Sequence, residues 1–138
     1  MHEYMSDWFV WVVDCSGHSP EELGRARRFV RRVLHDTPWA DDAALIVTEL
    51  GTNAITHTDS AKTTFRLVLV HGSEGISIAV TDAGGTTTRP HLEHPDTTTD
   101  HGRGLALVTA LTTNLTITGN NHGHTVTAEI RTTPTTAR

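Results

Sequence analysis

Apolar side chains recur at helical spacing in three segments, and each segment predicts a helix. The clearest segment is 41–58, whose apolar residues form one stripe that should face a core: Ala43, Val47, Leu50 and Ala54. Segment 20–35 follows Ser19 and begins with Pro20, Glu21 and Glu22, a pattern that is typical of a helix N-terminus. Its predicted inward stripe is Leu23, Ala26, Val30, Val33 and Leu34. A shorter helix is predicted over 102–112.

Alternating apolar residues predict the strands. Residues 9–13 are rich in strand-forming side chains, and 65–70 and 76–81 alternate around a turn at 71–75, which predicts a hairpin. Shorter strands are expected at 115–117 and 126–130. Because each long strand has one strongly apolar face, the sheet should be covered on one side. We therefore predict an α+β fold: a two-layer α/β sandwich with a mixed, mostly antiparallel sheet and helices on one face.

Composition narrows the class of protein. The 138 residues fit a single domain, with a core over about 8–131 and a frayed tail at 132–138. A formal net charge of −5 disfavours nucleic acid as the main partner. The single cysteine excludes an intrachain disulfide and indicates a reducing, cytoplasmic compartment. The apolar run at 8–13 is too short to span a membrane.

Basic residues are concentrated on the first predicted helix. Five of the eleven lie there: Arg25, Arg27, Arg28, Arg31 and Arg32. For any one arginine, a solvated position with its stem over apolar surface is the ordinary interpretation. For the group, a face that docks an acidic protein partner is an equally good one.

Three polar residues form a second stripe on the helix predicted at 41–58. Glu49, Asn53 and His57 are four residues apart, so they stack along one side of the helix. Glu49 could act as a general base, and the amide oxygen of Asn53 could bind Mg²⁺. From spacing alone an exposed polar face is the simpler interpretation, and His57 is better explained as capping the helix end.

Asp82 follows a predicted strand and precedes Ala83, Gly84 and Gly85. A carboxylate at a strand end can accept a hydrogen bond from an exocyclic amine such as adenine N6, and glycines let backbone approach a flat base. An ordinary Asp-x-Gly turn is the alternative.

A third motif, Gly102-Arg103-Gly104, opens the last predicted helix. Free N–H groups and the helix dipole attract phosphate there, and Arg103 could add positive charge; a glycine-rich helix entry is the alternative. The spacing is that of neither a P-loop nor a Rossmann fingerprint. The aperiodic segment 86–100 before it indicates a lid, a binding loop or disorder.

The order of these motifs resembles that of the GHKL (Bergerat-fold) ATPases. The segments TELGTNAITHT, VTDAGG and HGRGLALV are each similar to boxes of the stand-alone anti-sigma-factor serine/threonine kinases of the RsbW type. The resemblance covers about 19–130. It implies a cytoplasmic kinase that binds ATP and Mg²⁺, phosphorylates a small STAS-domain antagonist and sequesters a sigma factor, with a homodimer as its assembly.

The resemblance also implies roles for particular residues. Glu49 would be the catalytic base and Asn53 the Mg²⁺ ligand, while Asp82 would bind adenine with Gly84 beside it. The residues near phosphate would be Gly102, Arg103, Gly104 and Leu105.

The sequence departs from the family pattern in two places, and other functions stay open. Thr86 replaces the last glycine of D-x-G-x-G, and Gly123-His124-Thr125 stands where the family has a Gly-Thr pair. No role is transferred to Thr125. The main alternative is an ATP-responsive binding module with little kinase activity. A histidine-kinase catalytic domain would need preceding dimerisation helices, and a DNA-binding regulator ranks last because only one helix is basic.

Overall fold

The computed structural model describes residues 8–17, 19–57, 64–84, 100–120 and 122–131. Within them the chain forms three helices and five strands. Their order is β1 (Phe9–Ser16), α1 (Pro20–Val33), α2 (Ala40–His57), β2 (Thr64–Gly72), β3 (Gly75–Thr81), α3 (Asp100–Leu111), β4 (Asn114–Asn120) and β5 (Gly123–Arg131).

The five strands form one sheet in the order β1-β2-β3-β5-β4, and all four pairings are antiparallel. This confirms the α+β fold class. A mixed sheet was predicted, but no parallel pair occurs among the described strands. Strand β4 does run parallel to β3, because the connection through α3 brings the chain back in the same direction. The two strands are not neighbours, however, because β5 lies between them and pairs antiparallel with each.

The core lies between the helices and one face of the sheet. All four residues of the predicted α2 stripe are buried, as are Ala26, Val30 and Leu34 from the first predicted stripe. Leu23 and Val33 pack partly buried against this core. The sheet contributes alternate residues, as a pleated strand must. These buried residues are Phe65, Leu67, Leu69, Ile76, Ile78, Val80, Val126 and Ala128.

The ends of some elements differ from the prediction. β1 continues to Ser16 because its pairing with β2 extends there, and Arg66 of β2 makes two hydrogen bonds to Asp14 of β1, at 2.8 and 3.2 Å. Helix α1 ends at Val33, although Leu34 remains fully buried. Ser19 occupies the N-cap position as predicted, but its hydroxyl donates to Glu21 Oε1 and does not cap the helix.

Within the described part of the chain, none of the helices combines the length and apolar character that a bilayer crossing requires.

Candidate functional site

Helix α2 is the central element of the candidate site. It contacts β3 beneath it and both α1 and α3 beside it. Its apolar stripe faces the core, which leaves Glu49 and Asn53 partly exposed on the other side. Gly51 lies between them in sequence and is buried against α1, where a Cβ atom would stand 2.5 Å from Leu23 Cδ1. A side chain at Gly51 would therefore have to displace the Leu23 side chain where α1 and α2 pack together.

Asp82 lies directly after β3, and its carboxylate is fixed by the backbone. Its Oδ1 accepts hydrogen bonds from the backbone N–H of Gly84 at 2.8 Å and of His124 at 3.0 Å. The Asp82 N–H donates in turn to the His124 carbonyl oxygen at 2.9 Å. Both of these backbone N–H groups bond to Oδ1, and neither bonds to the other carboxylate oxygen, Oδ2. The residue is 8% exposed, so a polar group that reached it would be largely shielded from water.

The glycines around Asp82 are needed for this close approach. Gly84 has φ of 75°, a left-handed conformation that residues with a side chain rarely adopt. At Gly123, the first residue of β5, a Cβ atom would lie 2.9 Å from the Asp82 carbonyl oxygen. A side chain at either position would thus disturb the carboxylate.

His124 is a site residue to which the sequence analysis gave no role. It is 2% exposed, and its Nδ1 lies 3.7 Å from Asp82 Oδ1, beyond hydrogen-bonding distance. This buried nitrogen finds no hydrogen-bond partner in the described part of the chain. The sequence marked this place by its departure from the family pattern at Gly123-His124-Thr125. Of these three residues, His124 is the one whose side chain lies beside the Asp82 carboxylate.

Thr125 faces away from the site. Its hydroxyl lies 2.8 Å from the hydroxyl of Thr81, its partner in the β3–β5 register. Since successive side chains in a strand point to opposite faces, Thr81 and Thr125 lie on the open face, while Asp82 and His124 lie on the helix-covered face.

The third predicted motif lies in the first half of α3, which contacts α2 and β5. The side chains of Gly102, Arg103, Gly104 and Leu105 are outside the described part of the structure, so their proximity to phosphate stays a prediction. The same holds for the His57 side chain. The predicted lid, 86–100, also lies outside the described residues except for Asp100, which begins α3.

The three motifs therefore occupy neighbouring elements. Asp82 follows β3, Glu49 and Asn53 lie on the helix that packs on β3, and the glycine motif lies on a helix that contacts both α2 and β5. A buried carboxylate flanked by glycines offers a charged acceptor for an exocyclic amine, and the partly exposed acid and amide on the adjoining helix offer oxygen atoms of the kind that bind Mg²⁺.

Comparison with known proteins tests this interpretation. The model of the histidine kinase-like ATPase domain matches residues 18–130. No curated protein matches the chain. The family match covers most of the sequence and includes all three motifs, which confirms the predicted GHKL superfamily. It implies ATP binding and ATP-dependent chemistry of the phosphotransfer type. The chain belongs to the family of histidine kinase-like ATPase domains.

Proposed function

We propose that this protein is a cytoplasmic serine/threonine kinase of the anti-sigma-factor type, which phosphorylates a STAS-domain antagonist and regulates a sigma factor by partner switching. The observation that carries the proposal is the fixed, nearly buried Asp82 carboxylate beside a helix that holds Glu49 and Asn53 on one side. The family match supplies ATP binding. The kinase activity and the partners come from the resemblance of the motifs.

Asp82 serves the adenine end of the proposed site. Two backbone N–H groups already bond to its Oδ1, so Oδ2 is the oxygen that accepts a hydrogen bond from the exocyclic amine. A charged acceptor in a site shielded from water gives a strong and selective contact. Because Gly84 has no side chain, the base can approach the backbone closely.

Asn53 and the glycine motif serve the phosphate end. The Asn53 amide oxygen would hold Mg²⁺. Gly102 and Gly104, in the first turns of α3, would contact phosphate through their backbone, with the Arg103 guanidinium beside them. Leu105 belongs to the same box. Mg²⁺, when bound, neutralises charge on the phosphate oxygens.

Glu49 acts as the general base. Its carboxylate accepts the proton of the antagonist's serine or threonine hydroxyl while that oxygen bonds to the γ-phosphorus. The bond from this phosphorus to the bridging oxygen breaks, and ADP leaves. Positioned proton transfer of this kind contributes roughly 10²- to 10⁴-fold in rate.

The arginine face of α1 is the proposed docking surface for an acidic partner. Some arginines of this helix are already engaged: Arg25 pairs with Glu22 at 2.7 Å, and Arg31 lies 3.6 Å from Asp41. Arg28 and Arg32 are exposed and form no ion pair with another described residue. Their charge therefore stays available for a partner.

The decisive experiment compares Glu49→Ala with the wild type, using STAS proteins encoded beside this gene as substrates. Calorimetry with Mg²⁺ should show equal ATP affinity, while phosphotransfer should fall roughly 10²- to 10⁴-fold. Glu74→Ala is the matched control, because Glu74 lies in the exposed turn at the end of β3 opposite to Asp82.

Two results would count against the proposal. Phosphotransfer that survives Glu49→Ala unchanged would show that Glu49 is not the base. A wild type that binds ATP but phosphorylates no antagonist would instead indicate an ATP-responsive binding module.

A further inference from the structure

The imidazole of His124 is a polar group of the candidate site to which the proposed function gives no role. Its side chain is 2% exposed, and its Nδ1 finds no hydrogen-bond partner among the described residues. Burying a polar atom without a partner costs free energy, so such atoms are usually paired with protein, water or a ligand. A partner for this nitrogen must therefore come from outside the described residues.

The sheet around His124 offers one polar side chain on the helix-covered face, that of Asp82. In the register of β5 with β4, the residue opposite His124 is Gly119, which has no side chain. The other sheet residues next to it on this face are apolar and buried or partly buried: Val80, Ile117 and Val126. Asp82 is thus the group that determines the electrostatic surroundings of the ring within the sheet.

Asp82 does not satisfy the nitrogen itself. Nδ1 lies 3.7 Å from Asp82 Oδ1, beyond hydrogen-bonding distance, and this oxygen already accepts two backbone N–H groups. The His124 N–H donates to Oδ1 at 3.0 Å, and the His124 carbonyl oxygen accepts from the Asp82 N–H at 2.9 Å. These two bonds hold the backbones of the two residues in place, so the chain does not move to close the gap.

The nearby carboxylate determines the hydrogen-bonding role of Nδ1. In a neutral imidazole one nitrogen carries a hydrogen and the other a lone pair. A lone pair on Nδ1 would lie 3.7 Å from a carboxylate oxygen, whose negative charge repels it, whereas an N–H group would be attracted. The tautomer with its hydrogen on Nδ1 is therefore favoured, and the missing partner is a hydrogen-bond acceptor.

We propose that His124 donates a hydrogen bond from Nδ1 to a ring nitrogen of the bound base, next to the exocyclic amine that Asp82 binds. This role depends on the nucleotide site of the proposed function but not on its kinase activity. In adenine the amine lies between two ring nitrogens that are acceptors, N1 and N7. An imidazole donor beside a carboxylate acceptor complements this pairing, which makes His124 a second residue that selects a 6-aminopurine nucleotide.

Calorimetry of the full chain with Mg²⁺ tests the proposal with three nucleotides: ATP, 1-deaza-ATP and 7-deaza-ATP. Each deaza compound lacks one of the two ring nitrogens and keeps the amine. The wild type should bind one of them roughly 5- to 150-fold more weakly than ATP, because the buried Nδ1–H then has no acceptor. The compound that binds weakly identifies the ring nitrogen that His124 contacts. This comparison uses the wild type alone, so it holds even if a variant folds poorly.

Substitutions then assign the discrimination to the side chain. His124→Phe keeps a ring of similar size but has no nitrogen, so it should bind ATP and the weaker deaza compound about equally. His124→Asn has an amide that can donate from about the position of Nδ1, and it should recover part of the preference for ATP. Thr125→Val is the matched control, because Thr125 is the next residue and lies on the open face. It should discriminate like the wild type.

The outcomes separate this role of His124 from the proposed function. If the wild type binds ATP and both deaza compounds equally, or if His124→Phe keeps the preference for ATP, His124 does not contact the base. The proposed function would then still stand, with a buried water as the partner of Nδ1. If the discrimination is found but no antagonist is phosphorylated, the base contact stands and the kinase proposal fails. A wild type that binds no ATP would overturn both.

Discussion

Asp82 has two roles that different substitutions can separate. Its Oδ1 accepts two backbone hydrogen bonds, from Gly84 and from His124, which is a structural role. Asp82→Ala leaves two shielded N–H groups without an acceptor, at about 1–3 kcal/mol each. We expect the free energy of unfolding to fall by roughly 2–6 kcal/mol, a large part of the 5–15 kcal/mol typical of a domain. Asp82→Asn keeps a carbonyl oxygen in place, so its loss should stay under about 1 kcal/mol.

The second role, which we propose, is in nucleotide binding. The Asp82→Asn side chain remains an acceptor but is no longer charged, so a hydrogen bond from the adenine amine loses its charge assistance. A loss of about 1–3 kcal/mol corresponds to ATP affinity weaker by roughly 5- to 150-fold. Asp82→Asn should thus be nearly as stable as the wild type but bind ATP poorly, whereas Asp82→Ala should be impaired in both.

Calorimetry with ATP and Mg²⁺, together with thermal unfolding, measures the two effects separately. Asp14→Asn is the matched control, because Asp14 is an exposed aspartate on the edge strand and is paired with Arg66. That variant should bind ATP like the wild type. If Asp82→Asn binds ATP with wild-type affinity, Asp82 does not contact the base. If Asp82→Ala is as stable as the wild type, the two backbone hydrogen bonds to Asp82 do not contribute to the free energy of unfolding.

Three further expectations concern α1, β1 and β5. Reversing Arg28 and Arg32 to glutamate should slow association with the acidic partner, most strongly at low salt, and leave ATP affinity unchanged; surface plasmon resonance at two salt concentrations checks this. Burial raises the pKa of the Cys15 thiol to about 11, so thiol reagents at pH 8 should modify it quickly only after unfolding; equally fast labelling of the native protein would refute this. His124→Leu should not lower the melting temperature, because no described residue bonds to the buried Nδ1, but should weaken ATP binding; unchanged affinity in calorimetry would assign His124 no part in the site.

The periodic features of the fold were predictable from sequence. The stripe from Ala43 to Ala54 predicted which side of α2 is buried, and that in turn placed Glu49 and Asn53 on the opposite side. The hairpin of β2 and β3 followed from alternation around a short turn. These features depend on neighbours within one element or across one turn, so the local pattern contains enough information.

Features that depend on distant pairing were not predictable. Nothing in the sequence of β5 indicates that this strand lies between β3 and β4. That placement makes every pairing among the described strands antiparallel. Likewise, β1 extends beyond Val13 only because β2 continues beside it, with Asp14 bonded to Arg66. The alternation of β1 also gave no sign that it would be an edge strand, which is a property of the whole sheet.

His124 illustrates the same limit within the site. Alternation along β5 puts His124 on the apolar face of Val126 and Ala128, and Thr125 on the other face, but it does not tell which residue of another strand lies opposite His124. The register with β3 decides it: Thr125 is opposite Thr81, so His124 follows opposite Asp82. A buried imidazole nitrogen that finds no partner among the described residues is costly to a fold. Because it lies beside the Asp82 carboxylate, which two backbone N–H groups fix, we propose that this cost is offset by ligand binding and not by folding.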